Sequence, residues 1–251
     1  MSFNNKVVIV TGSSTGIGAV TAVAFAKEGA KVVIVGRNEG KLKDVAKQCS
    51  AVGSAPLVIK ADVTKDEDAK RIINDTLQKF GQLDVLVNNA GIFEYGDILS
   101  GKILETYDRI IAINLRAVIH LTQLAAPHLV KTKGSIVNIS SAAAQMFGPP
   151  NTVAYNVSKA ALDHFTRGSA LELAPSGVRV NAVSPGPVAT DMMTRHSSEM
   201  GVTVQDIEAA APLKRASQSE EIADLVLFVA GDKAKGVTGS VYLADNGLCL
   251  L

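Results

Sequence analysis

The sequence contains few cysteines and almost no net charge. Its 251 residues include two cysteines, Cys49 and Cys249, which do not make a disulfide framework. No group of cysteines and histidines has the spacing of metal ligands, so no metal site is predicted. The 25 Lys and Arg residues are balanced by 24 Asp and Glu residues, a formal net charge of +1. This balance does not supply the positive field of non-specific nucleic-acid binding, so nucleic acid is not an expected partner.

Long apolar runs and a targeting segment are also missing. Even Ile222–Ala230 is interrupted by Asp224, so no run approaches the roughly 18–20 residues of a membrane span, and no membrane association is expected. The chain enters a strand-like segment at Lys6 without a basic-then-apolar leader. We therefore expect a cytoplasmic protein. Apolar residues make up 47% of the chain, which is enough for a sizeable core.

What the sequence does contain is a regular alternation of β-branched runs and helical segments. The runs are nearly continuous in Val, Ile and Leu, as in strands covered on both faces. Seven strands are predicted, at Lys6–Thr11, Lys31–Gly36, Pro56–Lys60, Leu83–Asn88, Gly134–Ser140, Val178–Ser184 and Gly239–Ala244. Helical spacing is clearest in Ile17–Glu28, Asn38–Ser50 and Asp66–Phe80. The pattern predicts one α/β domain over residues 1–251, a doubly wound parallel sheet with helices on both faces.

A glycine-rich turn, Thr11–Gly18, joins the first strand to the first helix. Its glycines, Gly12, Gly16 and Gly18, allow a tight turn and close approach of a pyrophosphate to a helix N-terminus. A Walker loop is excluded because no Lys-Ser/Thr pair follows the last glycine. Strand–turn–helix glycines also occur without a ligand, so the turn by itself favours dinucleotide binding and does not prove it.

The residues after the second predicted strand bear on the choice of dinucleotide. An acidic residue at this point binds the ribose 2′-hydroxyl, whereas an arginine accommodates a 2′-phosphate. Here the strand ends at Gly36 and is followed by Arg37, whose guanidinium matches phosphate geometry. Glu39 could in principle reach a ribose, but we interpret it as a first-turn acid of a helix capped by Asn38. NADP(H) is therefore the predicted cofactor.

A tyrosine and a lysine lie one turn apart on a predicted helix that extends to about Leu173. The spacing of Tyr155 and Lys159 places both on one helical face. A nearby ammonium favours the phenolate, so the tyrosine could exchange a proton with an alcohol or carbonyl oxygen. Taken alone, the two residues also fit an exposed polar pair.

Polar or glycine-rich residues follow three predicted strands, at Ser140–Ser141, Asn88–Gly91 and Asn181–Gly186. In doubly wound sheets these strand ends line the ligand crevice. A serine hydrolase is the competing interpretation, but no G-x-S-x-G elbow is present. The four histidines follow no triad order and are interpreted as surface or core residues: His120, His128, His164 and His196.

Together these motifs resemble the short-chain dehydrogenase/reductase family in its compact single-domain branch. The resemblance covers essentially the whole chain and rests on Thr11–Gly18, Ala61–Thr64, Asn88–Gly91, Asn114, the serine pair, Tyr155-x-x-x-Lys159, Pro185-Gly186 and Thr190. It implies a Rossmann-type fold. It also implies hydride transfer between a nicotinamide cofactor and a carbonyl or alcohol.

The resemblance assigns roles to individual residues. Tyr155 is the implied acid/base and Ser141 the hydroxyl that holds the reacting oxygen. Lys159 is implied to lower the pKa of Tyr155 and to bind the nicotinamide ribose, and Asn114 to hold a water that links Lys159 to solvent. The implied cofactor contacts are Gly12, Ser13, Ser14, Gly16, Ile17, Gly18, Arg37, Asn38, Asp62, Val63, Asn89, Ala90, Gly91, Tyr155, Lys159, Pro185, Gly186, Val188 and Thr190.

The sequence departs from the family pattern at two places. Ser141 lies one residue farther from Tyr155 than expected, and the turn-rich stretch Phe147–Asn151 can absorb the extra residue. The longer spacing leaves Ser140 as a second candidate for the serine. NADP-preferring relatives often carry a basic residue where this chain has Thr15, so Arg37 has to discriminate largely alone.

Specificity is expected in a lid at about residues 188–217. Methionines there suit a pliable apolar lid, although they equally suit helix packing: Met192, Met193 and Met200. With Met146 and Phe147 near the serine, the expected substrate is an apolar carbonyl: a steroid, a medium-chain ketone or a 3-oxoacyl group. The alternatives are a non-catalytic cofactor-binding sensor or scaffold, a 3-oxoacyl-carrier reductase, and an isomerase or dehydratase. The resemblance also implies a homo-oligomer, a tetramer or a dimer.

Overall fold

A seven-stranded parallel sheet runs through the computed structural model, which describes residues 2–251. Residue 1 of the predicted domain lies outside the described part. The strands are β1 (Val7–Thr11), β2 (Lys31–Gly36), β3 (Leu57–Lys60), β4 (Val85–Asn88), β5 (Ser135–Ile139), β6 (Arg179–Pro185) and β7 (Val241–Ala244). Their order is β3-β2-β1-β4-β5-β6-β7. This confirms the predicted doubly wound sheet.

Helices cover both faces of the sheet. They are α1 (Gly16–Lys27), α2 (Glu39–Val52), α3 (Asp66–Phe80), α4 (Ile103–Ile111), α5 (Ala117–Thr132), α6 (Val153–Leu173), α7 (Asp191–Met200), α8 (Val204–Ala210) and α9 (Ser219–Ala230). The apolar side chains of α1, α2 and α9 form one buried cluster with the sheet. Those of α3, α5 and α6 pack in a second cluster on the opposite face. All five residues of β1 are buried because β1 lies near the centre of the sheet, between these two layers.

The sheet order reverses at β1, and this reversal locates the ligand crevice. Val10 of β1 lies beside Ile34 of β2 on one side and Val87 of β4 on the other. The connections leaving β1 and β4 therefore diverge to opposite faces and open a crevice at the carboxyl ends of the strands. The glycine-rich turn after β1 and the segment after β4 lie at this crevice.

The predicted strand starts are one or two residues early at several places. The differences reach two residues at β4, which begins at Val85 and not at Leu83, and at β7, which begins at Val241 and not at Gly239. The carboxylate of Asp84 accepts hydrogen bonds from the Val7 amide and from Lys6 Nζ, each at 2.9 Å. These side-chain bonds tie Asp84 to the start of β1, and the regular pairing of β4 with β1 begins beyond Asp84.

One helical stretch within residues 2–251, Ile103–Thr132, is long and apolar enough to cross a membrane by length and composition. The stretch contains Asp108, Arg109 and Arg116, so it is not an unbroken apolar run of the kind that the sequence was expected to lack. The expectation rested on unbroken apolar runs, whereas this stretch reaches the threshold on average hydropathy. Its side chains Leu121, Ala125 and Leu129 are buried in the cluster between α5 and the sheet. That face is therefore part of the core packing.

Candidate active site

The glycine-rich turn is shaped by its contact with the segment after β4. A Cβ atom on Gly18 would lie 2.3 Å from Asn89 Nδ2, and one on Gly12 would lie 2.8 Å from the Ala90 Cα. The same Asn89 amide donates hydrogen bonds to the backbone oxygens of Thr11, at 2.9 Å, and Gly12, at 3.2 Å. Two of the three motif glycines are therefore required by packing inside the protein, before any ligand is considered.

The third motif glycine, Gly16, opens α1. Its φ of +56° lies in the left-handed region, which strongly favours glycine. A Cβ there would lie 3.2 Å from Thr190 Cγ2, so the turn also meets the segment after β6. Thr15 makes no side-chain cap, which leaves the first amides of α1 without a side-chain acceptor. A close backbone approach beside open helix amides fits the pyrophosphate of a dinucleotide.

The two serines of the turn differ in what they can offer a ligand. The Ser13 amide donates to the Val35 oxygen, and its hydroxyl donates to Val10 and accepts from the Val35 amide. Both polar groups of Ser13 therefore join β1 to β2. Ser14 is partly exposed, and its side chain lies against Gly36 at the end of β2. Of the two, Ser14 is the serine whose hydroxyl makes no hydrogen bond within residues 2–251.

Arg37 follows β2 and is exposed. Within residues 2–251 its guanidinium makes no hydrogen bond or ion pair. Glu39, the competing ribose reader, pairs with Lys43 at 3.1 Å and with Lys60 at 3.7 Å. Asn38 caps α2 by accepting the Lys41 amide at 3.0 Å, as predicted. A free guanidinium and an engaged carboxylate thus lie side by side.

Asp62 and the buried Val63 lie after β3, close enough for the charge of Arg37 to act on Asp62. Burial raises the pKa of Asp62, but hydrogen bonds from the Thr64 amide and hydroxyl and the charge of Arg37 outweigh it and hold the pKa below its ordinary value. Asp62 is therefore an ionised acceptor near the end of β2.

Tyr155 and Lys159 lie on α6, which covers the predicted helix through Leu173. Burial raises the pKa of Tyr155 and a hydrogen bond from the Ser141 side chain opposes that rise, so the pKa lowering expected from Lys159 is not found in this structure. Lys159 Nζ lies 5.7 Å from the centroid of the Tyr155 ring and donates to the Ile139 oxygen at 2.8 Å. The ammonium thus lies beside the ring and is bonded to the end of β5.

The two serines after β5 point in different directions. Ser140 is buried, and its hydroxyl donates to the Lys159 backbone oxygen at 3.3 Å. The Ser141 hydroxyl accepts the Ala143 amide at 3.2 Å and reaches Tyr155. Asn156 donates to the oxygens of Ala143 and Met146 and fixes this turn onto α6. Between the two candidates, only Ser141 is directed to the tyrosine hydroxyl.

Asn114 lies in a π-helical segment, Ala112–Arg116, that joins α4 to α5. Its side chain accepts the Ile92 amide and donates to the Ile92 oxygen, each at 2.9 Å. A Cβ on Gly91 would lie 3.3 Å from Asn114 Oδ1 and 3.7 Å from Lys159 Nζ. Asn114 therefore fixes the segment after β4 beside the lysine. Short π-helical segments of this kind are frequent at functional sites.

Comparison with known proteins gives the same assignment along the whole chain. The sequence model of a family described as enoyl-(acyl carrier protein) reductase matches residues 12–249. An uncharacterised oxidoreductase of Thermotoga maritima is 39% identical, with 98% of each chain covered. The chain belongs to the short-chain dehydrogenase/reductase family. A 3-oxoacyl-[acyl-carrier-protein] reductase of Thermotoga maritima is 35% identical to the present chain, over the full length of both chains.

Solved structures place this short-chain dehydrogenase/reductase in the same fold. A Caenorhabditis elegans family member of unknown function, determined with cofactor, superposes with a TM-score of 0.91 at 38% identity, covering 100% of this chain and 97% of that one. Members of the family use nicotinamide cofactors, and the turn at Gly16 and α1 fits one. The chain is therefore an oxidoreductase of a family that acts on CH–OH and C=O groups.

In this dehydrogenase/reductase, the two ends of the segment expected to form a lid are paired with each other. Val188 and Ser217, its two ends, pair in an isolated parallel bridge. Between them lie α7 and α8. Thr190 caps α7, and its methyl group faces Gly16 across the crevice. Of the other predicted positions, Pro185 is the last residue of β6. Gly186 follows it, and its amide donates a hydrogen bond to the Ala244 oxygen at the end of β7.

An aromatic cluster of Phe93, Tyr95, Tyr155 and His196 was not predicted. The Phe93 ring packs edge-on against Tyr155 with centroids 4.8 Å apart and against His196 at 4.4 Å. His196, from α7, stacks on Tyr95 at 5.3 Å, and the Tyr95 hydroxyl bonds its Nδ1. Burial lowers the pKa of His196 and, with the charge of Glu199, raises that of Tyr95 to about 12. His196 therefore belongs to the site.

Proposed function

We propose that this protein is an NADP(H)-dependent oxidoreductase that interconverts an apolar ketone and its secondary alcohol. The observation that carries the proposal is the convergence of Ser141, Tyr155 and Lys159 at the carboxyl end of β5, with Asn114 beside them. One hydroxyl holds an oxygen, a second exchanges its proton, and a buried cation lies beside the tyrosine ring. This is the set that carbonyl reduction needs.

Each of these side chains has a distinct task in the proposed reaction. When bound, the nicotinamide supplies or accepts the hydride. Ser141 Oγ donates a hydrogen bond to the substrate oxygen, and Tyr155 Oη delivers the proton to it in reduction or removes it in oxidation. Lys159 stabilises the phenolate that remains on Tyr155. Asn114 holds the loop after β4 and, with a water, would return the proton from solvent to Lys159.

The NADP(H) preference is supported by the contrast at the end of β2. Arg37 has no protein partner within residues 2–251, while Glu39 is occupied by Lys43 and Lys60. A guanidinium binds phosphate through parallel charge-assisted hydrogen bonds. Ser14, which lies against Gly36, adds a hydroxyl on the same side. The proposed cofactor contacts remain those predicted, except Ser13, whose amide and hydroxyl are both used within β1 and β2.

An apolar substrate is supported by the aromatic cluster. A group attached to a carbonyl held by Ser141 and Tyr155 would pack against the Phe93 ring, which lies on Tyr155. A steroid, a medium-chain ketone or a 3-oxoacyl group meets that requirement. A reductase of Thermotoga maritima is named for a 3-oxoacyl group on acyl-carrier protein. A 3-oxoacyl-carrier reductase is therefore the alternative to a reductase of free ketones.

The function is tested by Tyr155→Phe. Phenylalanine keeps the ring packing with Phe93 but has no proton to exchange. We expect cofactor-induced thermal stabilisation to persist while turnover of a ketone panel falls at least a hundredfold. Unchanged turnover would contradict the mechanism. Tight cofactor binding in the wild-type protein without turnover of any ketone or alcohol would favour a sensor or scaffold.

Cofactor choice is tested by the thermal shift with NADPH and NADH at matched concentrations. A tenfold affinity gap corresponds to about 1.4 kcal/mol of stabilisation at saturation. Arg37→Gln should abolish the gap by weakening NADPH alone. Arg71→Gln, an exposed arginine on α3 that pairs with Asp68, is the control. Equal shifts in the wild-type protein would overturn the NADP(H) assignment.

We also propose a homotetramer or dimer in the cytoplasm. Apolar side chains stay exposed on α4, α6 and the edge strand β7, for example Leu104, Leu171 and Leu243. Burial against a second copy would remove them from water. Cys49 and Cys249 are both free thiols, consistent with a reducing compartment. Sedimentation as a monomer at micromolar concentration would reject the oligomer.

A further inference from the structure

Asp163 is a buried acid that the mechanism above does not use. It lies on α6 one turn after Lys159, and the two residues are only 4% and 5% exposed. Residues four apart on a helix have Cβ atoms about 6 Å from each other. One carboxylate oxygen, Oδ1, has no hydrogen-bond partner. A carboxylate removed from water in this way needs a compensating charge or proton.

The surroundings of Asp163 offer one buried cation. Just after β5, the Ser140 side chain lies close enough to Asp163 to lower the pKa of its carboxyl group. The one charged residue of β6, which also packs against α6, is Arg179, and its guanidinium donates to the backbone oxygens of Val229 and Ala230. The charged groups that act on Asp163 are Lys159 and Arg167, both on α6, and Arg167 is exposed. The charged side chains of α4, which also packs on α6, face solvent: Glu105, Asp108 and Arg109.

The negative charge of Asp163 also affects the protonation of Lys159. Burial lowers the pKa of its ammonium to about 8, and the charge of Asp163 opposes that fall. Burial raises the pKa of Asp163, while Ser140, Arg167 and Lys159 lower it. Asp163 acts on the charge of Lys159, one turn away on α6, while Tyr155 lies two turns away. A lysine so deeply buried depends on a nearby anion to stay protonated near neutral pH.

We propose that Asp163 is a positioning residue that keeps Lys159 cationic beside Tyr155 and thereby sets the alkaline limit of ketone reduction. The proposal rests on the proposed function, since it acts through Lys159. It assigns no contact between Asp163 and substrate. The neighbouring Ser140 hydroxyl ties the end of β5, next to Ser141, to α6 by donating to the Lys159 backbone oxygen.

The test is the pH profile of kcat/KM for ketone reduction in Asp163→Asn. Asparagine keeps the shape but removes the negative charge, which lowers the pKa of any nearby proton donor. On the alkaline side of this profile, kcat/KM falls with rising pH, and we call this part the alkaline limb. We expect the alkaline limb to shift to lower pH by about one unit, so that kcat/KM at a pH on this limb is about tenfold lower than in the wild-type protein. Glu172→Gln removes an exposed acid from the same helix and should leave the limb in place. An unmoved limb in Asp163→Asn would overturn the proposal.

A second measurement needs no turnover. NMR titration of ¹³C-labelled wild-type protein should show the Asp163 carboxyl ionised over the pH range of activity, titrating above its ordinary pKa. The Lys159 side chain should titrate at lower pH in Asp163→Asn than in the wild-type protein. An Asp163 that stays protonated through neutral pH would overturn the proposal even if the variant failed to fold. Retained turnover in Tyr155→Phe would instead count against the proposed function.

Discussion

The cofactor half and the substrate half of the crevice are built from different kinds of contact. In the cofactor half, after β1 and β2, backbone atoms approach one another so closely that Gly12 and Gly18 admit no Cβ. In the substrate half, side chains from α7 and from the segment after β4 meet as an aromatic cluster. Backbone packing demands one residue type, whereas ring packing is satisfied by many. The first half is therefore constrained by stability and the second is free to set specificity.

The largest effect should come from Gly18→Ala in the cofactor half. The added methyl group would lie 2.3 Å from Asn89 Nδ2 and 2.5 Å from the Gly12 oxygen. Such overpacking against backbone is expected to cost about 3 kcal/mol of unfolding free energy. Urea denaturation measures the loss.

Gly168→Ala is the matched control, because Gly168 is also a helical glycine but has open space where its Cβ would lie. Alanine there should stabilise the protein by about 0.5–1 kcal/mol through its higher helix propensity. Equal unfolding free energies of the two alanine variants would contradict the claim that close backbone packing constrains the cofactor half.

A smaller effect, on substrate and not on folding, is expected from Tyr95→Phe. The ring stacking on His196 remains, but the hydroxyl bond to Nδ1 is lost, at about 1 kcal/mol. The KM for an apolar ketone should rise about fivefold while the NADPH thermal shift stays constant. Tyr107→Phe, which removes a partly exposed hydroxyl on α4, should change neither value. A reduced NADPH shift in Tyr95→Phe would mean that the lid cluster also holds the cofactor.

The smallest effect should come from Lys41→Ala, at a direct contact between the halves. Lys41 Nζ on α2 pairs with Asp191 on α7 at 3.3 Å, and both side chains are exposed. Exposed ion pairs contribute about 0.5 kcal/mol or less, so unfolding and turnover should barely change. A loss above about 1 kcal/mol in urea denaturation would show that the two halves are coupled through this pair.

The residues predicted best are those whose type follows from local backbone geometry or helical spacing. The turn glycines, the Asn38 cap and the Tyr155–Lys159 spacing are of this kind. The lid bounds were placed by resemblance, and the bridge between Val188 and Ser217 closes the same segment. Phe93, Tyr95 and His196 carry no motif, and His196 was interpreted as a surface or core histidine. Their contacts join segments about a hundred positions apart, which no periodicity in the chain reveals.

The parallel sheet, the nucleotide-type turn and the polar residues at the strand ends can all be read from the order of the residues. Buried strands, tight turns and helix faces each restrict residue type within a few positions, so they can be recognised locally. That Ser141 and not Ser140 faces Tyr155, and that Asp163 is buried beside Lys159, is known only from the folded chain. Those choices depend on how α6 packs against β5. Side chains distant in the chain acquire their charge and direction from that packing.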